Sequence, residues 1–268
     1  MRYKIIVAAL IIFFNNSCSN NKYAVTNKVY KKQAKVFAKE IFKQPAVYDS
    51  LLMATQWVGT TNFGMRKPNF VIIHHTAQNA CDSTLRTFTL PRTQVSAHYV
   101  ICKNGTIHHM LNDYLRAWHA GNSKWGNVTD VNSSSIGIEL DNNGFENFTD
   151  AQIKSLLQVL KQLKKNNNIP TANFIGHADI APKRKNDPNK YFPWQLLAQN
   201  GFGNWYDTAN VKLPDNFNAI QSLRIIGYDI KDSVAAIKAF KLHFVQQDSM
   251  PVISEADKKI IYDLSRNY

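Results

Sequence analysis

The sequence predicts an α/β protein: a mixed central β-sheet flanked by helices, followed by a small C-terminal three-helix domain. Three observations carry this expectation. Short β-branched runs and one amphipathic helix share residues 69–176, an Asn-Gly pair joins two strand-like runs, and after Pro214 three short helix-like segments replace the strand pattern. At 268 residues, 44% hydrophobic and 19% charged, the chain can bury a sizeable core and is not disordered by composition.

The first strand is read at Asn69-Phe70-Val71-Ile72-Ile73-His74, a β-branched run after Pro68. His98–Cys102 and Thr106–Met110 flank Lys103-Asn104-Gly105, where Asn-Gly supplies the positive φ angles of a tight hairpin turn. In the strand Ile136–Leu140, the period of two puts Ile136, Ile138 and Leu140 on one face and Gly137 and Glu139 on the other. A helix follows over Thr149–Lys165. Thr149 caps it, Gln152 completes a capping box, and Ile153, Leu156, Leu157, Leu160 and Leu163 form one apolar stripe. Phe174–Gly176 is a short strand delivering His177. Phe217–Ile226, Val234–Phe244 and Ala256–Leu264 are the three C-terminal helices. About 54 residues fold alone only marginally, so this segment should dock on the larger domain or on a ligand.

Ahead of these elements, Arg2 and Lys4 precede ten apolar residues, Ile5–Phe14, and then Asn15-Asn16-Ser17-Cys18. Ten residues rise about 15 Å as a helix against a hydrocarbon core of about 30 Å, which suits a signal-peptide core and not a membrane span. A small residue followed by cysteine resembles a bacterial lipoprotein signal, with lipid on Cys18, although Asn15 stands where a branched residue is usual. An ordinary secretory signal is the other reading. The organisation expected is a leader (1–18), a basic arm (19–65), a main domain (66–213) and a helical domain (214–268).

The formal net charge is +13, and most of it lies in the arm: residues 19–69 carry +7, residues 70–214 carry +4 and residues 215–268 none. Val29–Phe42 places Lys31, Lys32, Lys35 and Lys39 among Val36, Phe37, Ile41 and Phe42. This fits a basic helix near an anionic surface and equally a solvated helix face. Nucleic acid is excluded as a partner because an export signal removes the chain from the cytoplasm and the main domain has no patterned basic stripe. With Cys18 lipidated, Cys81 and Cys102 remain, either one disulfide or two buried thiols.

Among eight histidines, His74 and His177 stand out because each ends a buried strand, and Asp187 follows His177 by ten residues. Two imidazoles and a carboxylate are a three-ligand set for catalytic zinc with a fourth position left for water. Two hydrogen-bonded core histidines would leave the same pattern. Glu139, on the polar face of an apolar strand, is a candidate proton carrier, or else an edge-facing surface glutamate. Lys185 is a candidate oxyanion partner, or else one cation of the Lys183-Arg184-Lys185 cluster.

Five motifs then occur in a telling order: Ile72-Ile73-His74-His75-Thr76-Ala77, Val95-Ser96-Ala97-His98-Tyr99, Ala117-Trp118-His119-Ala120-Gly121, Ser135-Ile136-Gly137-Ile138-Glu139-Leu140, and His177-Ala178-Asp179-Ile180-Ala181-Pro182 running on through Lys183-Arg184-Lys185-Asn186-Asp187-Pro188. With Phe192-Pro193-Trp194 behind them, they resemble the zinc N-acetylmuramoyl-L-alanine amidases of the type-2 amidase family. The nearest likeness is to the lipoprotein amidases of the Gram-negative envelope. The resemblance covers about residues 66–205, and the segment after Pro214 resembles a peptidoglycan-binding three-helix domain.

The resemblance implies Zn2+ on His74, His177 and Asp187, Glu139 as general base and acid, and Lys185 as oxyanion partner. It places Trp118, His119 and Asn132–Ser135, with Ser134 among them, along the substrate cleft. His75 stands where the family often has tyrosine. Related phage enzymes and recognition proteins carry tyrosine where this chain has Ala97, which leaves proton transfer to Glu139. The implied reaction is hydrolysis of the amide between N-acetylmuramic acid, intact or anhydro, and L-alanine of peptidoglycan or muropeptides. The implied setting is a monomer anchored through Cys18 to the periplasmic face of the outer membrane, since Ser19-Asn20-Asn21-Lys22 contains no acidic cluster. The rival is a non-catalytic peptidoglycan-recognition protein, and such proteins often lack a zinc ligand.

Overall fold

A computed structural model describes residues 21–42 and 60–268. The leader, Cys18 and residues 43–59 of the arm lie outside the described residues. The chain divides into two units, residues 1–62 and 63–268.

In the first unit, the helix expected at Val29–Phe42 is α1, Ala24–Ile41. None of its residues is buried; Val25, Val29, Val36, Phe37 and Ile41 are exposed. No helix among the described residues is long and apolar enough to cross a membrane.

The second unit is built on a five-stranded sheet. In chain order its elements are β1 Phe70–His75, α2 Cys81–Thr89, β2 Tyr99–Ile101, β3 Ile107–His109, α3 Val131–Ser134, β4 Ser135–Leu140, α4 Asp150–Asn167, β5 Phe174–Gly176, α5 His177–Ile180, α6 Trp194–Gln199, α7 Ala219–Ile226, α8 Ser233–Phe240 and α9 Glu255–Ser265. The strand order is β3-β2-β4-β1-β5, parallel except for β3, which pairs antiparallel with β2. The hairpin between β2 and β3 turns at Gly105 (φ +85°), where an added Cβ would lie 2.8 Å from the Ala151 carbonyl oxygen. Cys81 and Cys102 form a disulfide with Cα atoms 5.4 Å apart, tying the start of α2 to the end of β2.

The period of two in β1 and β4 sorts the core. Val71, Ile73, Ile136, Ile138 and Leu140 pack with the α4 stripe of Ile153, Leu156, Leu160 and Leu163, all buried. Each such side chain contributes about 1.5–3 kcal/mol of burial. Thr149 Oγ1 accepts the Gln152 N–H at 3.2 Å, as a cap should, but the other half of the expected capping box is absent. Gln152 is buried, and its side-chain amide donates to the Ile101 and Asp141 carbonyls at 2.8 and 3.1 Å, the first of which also accepts the Asp141 N–H at 2.9 Å.

On the opposite face, Phe70 and Ile72 of β1 share a core with Leu223 and Ile226 of α7, Phe240 of α8 and Ile261 and Leu264 of α9. The C-terminal helices thus serve as the second layer over the sheet. Their caps are Asn218, Asp232 and Ser254, the last in a full capping box with Asp257. Helix α8 runs into a π turn over Lys241–Val245.

Candidate active site

The carboxyl ends of the parallel strands carry the reactive groups. His74 lies near the end of β1, and Glu139 is its register partner on β4, so the two share the face opposite α4. Strand β5, on the other side of β1, ends at Gly176 and hands the chain directly to His177 in α5. Asp187 returns through its carbonyl, which accepts the Ala178 N–H at 2.8 Å, and a cis peptide follows it at Pro188.

This topology brings His74, His177 and Asp187 together, all buried. His74 Nδ1 lies 2.9 Å from His177 Nδ1, and Asp187 Oδ2 is 3.1 and 3.0 Å from those two nitrogens. Ligands about 2.0–2.2 Å from a tetrahedral ion sit about 3.3 Å from one another, so the three atoms already span nearly the face of such a site.

Proton placement makes the fit chemical as well as geometric. His177 Nε2 faces the Ala120 carbonyl at 3.2 Å and must donate to it, which leaves the Nδ1 lone pair for an ion. For His74 the constraint runs through a chain of bonds. The Ser135 hydroxyl donates to the Val131 carbonyl at 2.6 Å, so its oxygen accepts from His119 Nε2 at 3.1 Å. His119 Nδ1 then accepts from His74 Nε2 at 3.1 Å, and His74 Nδ1 is again left as a lone pair. Gly137 is required here, because an added Cβ would lie 2.4 Å from the His119 ring.

The electrostatics agree with that assignment. Burial and the neighbouring His177 pull the His74 pKa down to about 4, which keeps its lone pair free near neutral pH. Glu139 is half-buried as a residue, yet its Oε2 is closed to solvent and has no hydrogen-bond partner. Burial and the Asp187 charge lift it to about 8, against the opposing pull of Lys185. A carboxyl poised there suits the transfer of a proton to and from a reacting group. Lys185 is exposed, within electrostatic reach of both His74 and Glu139.

The residues expected along the cleft take different positions. Trp118 is 52% exposed. His119 is buried behind His74, and its two ring nitrogens are engaged by His74 and Ser135. The Ser134 hydroxyl turns back to the Asp130 and Val131 carbonyls at 3.3 Å. Asn132 is buried and holds the His119 and Ala120 N–H groups on its side-chain oxygen. His75 stands outside the triad, its Nδ1 accepting the Asn189 N–H at 3.1 Å. Sequence reasoning did not single out Ser135 as the anchor of the His74 tautomer; its place two residues before Gly137, on the same strand face, is the trace it leaves.

A mixed sheet whose strand ends present two histidines, an aspartate, a buried carboxyl group and a lysine defines a hydrolytic centre able to hold a metal ion. Residues 64–190 match the type-2 amidase family model, described as N-acetylmuramoyl-L-alanine amidase. The chain is 36% identical over 206 residues to the N-acetylmuramoyl-L-alanine amidase AmiD of Escherichia coli, covering 65% of this chain and 74% of AmiD. The solved complex of that amidase with anhydro-N-acetylmuramic acid-L-Ala-D-gamma-Glu-L-Lys superposes with a TM-score of 0.69 at 31% identity, over 78% of this chain and 93% of the other. AmpDh3 of Pseudomonas aeruginosa superposes with a TM-score of 0.70 at 27% identity, over 81% and 98%. The chain belongs to the type-2 N-acetylmuramoyl-L-alanine amidase family.

Proposed function

We propose that the chain hydrolyses the amide joining N-acetylmuramic acid, or its anhydro form, to L-alanine of peptidoglycan fragments, with Zn2+ held by His74, His177 and Asp187. The observation that carries this reading is the buried triad with both Nδ1 lone pairs turned toward one point and Asp187 Oδ2 beside them. A zinc ion there supplies Lewis acidity, activating water and polarising the amide carbonyl. Glu139, protonated below about pH 8 while the site is metal-free, is the group that takes the proton of the attacking water and passes it to the leaving alanine nitrogen. Opposite charge at the triad favours its ionised form and readies it as a base. Lys185 adds positive charge for the carbonyl oxygen as it becomes an oxyanion. Trp118 offers an apolar ring to the substrate, and Ser134 is the second residue assigned to the cleft.

The substrate named with AmiD contains an anhydro sugar, which supports muropeptide turnover or recycling as the setting. Cys18 is proposed as the lipid attachment that holds a monomer at the periplasmic face of the outer membrane. Residues 66–213 are proposed as the catalytic part and 214–268 as a wall-binding helical layer packed on it.

The test is metal analysis and turnover of the chain from Asn21 onward. One zinc per chain, with anhydro-muropeptide hydrolysis lost on chelation and regained with zinc, is the expected result. Binding of the muropeptide without turnover would assign the chain to non-catalytic recognition.

A further inference from the structure

The turn that presents His177 is closed by the side chain of Asp179, and most of what holds Asp179 comes from far along the chain. Its carboxylate accepts three hydrogen bonds: from the Gly176 N–H at 2.7 Å, from the Tyr228 hydroxyl at 2.7 Å and from His243 Nδ1–H at 2.8 Å. Gly176 immediately precedes His177, so the carboxylate spans the residue on both sides. Asp179, Tyr228 and His243 are all buried. A carboxylate in that position is secured only when its donors are in place.

Both remote donors belong to the C-terminal helical segment. Tyr228 follows α7 after Gly227, and His243 sits in the π turn that extends α8. Such turns recur at functional positions in helices because they redirect a side chain that a regular turn would place elsewhere. Here the His243 ring stacks on Trp194 with centroids 3.8 Å apart and on Phe244 at 4.0 Å, which fixes the orientation of its Nδ1–H. The Tyr228 ring packs edge-on against Trp125 at 5.0 Å.

We infer that the C-terminal helices complete the metal site, with Tyr228 and His243 acting through Asp179 as positioning residues for His177. On this account the segment after Pro214 is not a detachable attachment: without it, Asp179 keeps only the Gly176 donor. The inference rests on reading His177 as a metal ligand.

Tyr228→Phe and His243→Phe test it in the full chain after Cys18, since each removes one donor and keeps an aromatic ring. Ile261→Ala, an apolar truncation in the same helical core, serves as the stability control. Zinc affinity is measured by chelator competition, ligand geometry by the visible bands of the cobalt-substituted protein, and fold by thermal unfolding of the metal-free form. Each polar variant should weaken zinc binding by about 10-fold or more, within the 10–100-fold typical of groups that orient a ligand, and alter the cobalt bands. Ile261→Ala should lower the unfolding temperature and leave both metal readouts at wild type. If the polar variants lose stability alone, with affinity and bands matching Ile261→Ala, Asp179 is ordinary core structure and the inference is overturned. A wild-type chain that takes up neither metal would refute the zinc reading itself, and this inference with it.

Discussion

Replacing Glu139 by glutamine should free the stability of the metal-free protein from a strong dependence on pH. Glu139 Oε2 is shut from solvent without a partner, and burial together with the Asp187 charge lifts the carboxyl pKa from 4.5 to about 8. The folded protein therefore keeps a proton that the unfolded chain releases. Stability from this group is intact below 4.5, declines as pH rises, and is fully lost once the folded carboxyl ionises above about 8. At about 1.36 kcal/mol per pH unit, the loss is under about 1 kcal/mol at pH 5 and about 4–5 kcal/mol at pH 8.5. Glutamine does not titrate, and His74 and Asp187 are common to both proteins, so the difference between variant and wild type isolates Glu139. Urea unfolding in the presence of a chelator should show that difference widening by about 4 kcal/mol from pH 5 to pH 8.5, or a midpoint shift of about 1–2 M. The same substitution should abolish hydrolysis, which makes the catalytic carboxyl a stability cost carried for function. A variant-to-wild-type difference equal at the two pH values would show that the Glu139 carboxyl is solvated and would remove the basis for its role.

Asp187→Ala deletes a candidate ligand and should lower zinc affinity by more than the roughly 100-fold ceiling of orienting groups, read by chelator competition; near-wild-type zinc stoichiometry would discard the ligand set. Ser135→Ala breaks the relay that fixes the His74 tautomer and should weaken zinc binding by about 10–100-fold with little change in the fold, whereas unchanged affinity would show that His119 holds its tautomer unaided. Reducing the Cys81–Cys102 disulfide should cost about 3 kcal/mol for a 21-residue separation, measured by urea unfolding with and without a reductant, and leave zinc affinity unchanged.

Much of this site was legible because strands have a strict period. The alternation in Ile136–Leu140 isolates Glu139 on the face opposite the apolar residues, and the register of β4 with β1 then sets it beside His74. Capping chemistry likewise announced α4, since Thr149 satisfies an N–H group that every helix start leaves open. What the sequence concealed depends on contacts between distant residues. Gln152 looked like half of a local cap, but two strand-end carbonyls some 51 and 11 positions away claim its amide. His119 sits in a motif that suggests a cleft wall, yet the absent side chain at Gly137 opens a space behind His74 that its ring fills. His98, in another of the motifs, is likewise a buried strut whose Nδ1 accepts the Gly137 N–H at 3.1 Å. Whether Cys81 and Cys102 pair was open for the same reason, because only the packing of α2 on β2 brings them together.

The central claim, a zinc-dependent cut at the bond between sugar and peptide, is tested most directly by mass spectrometry of a purified anhydro-muropeptide incubated with the zinc-loaded chain from Asn21 onward. The account predicts release of the intact stem peptide beginning with L-alanine, abolished by a chelator, restored by zinc and absent with Glu139→Ala although that variant still binds the metal. Cleavage within the peptide, or release of the stem peptide that survives both chelation and the Glu139 substitution, would contradict it.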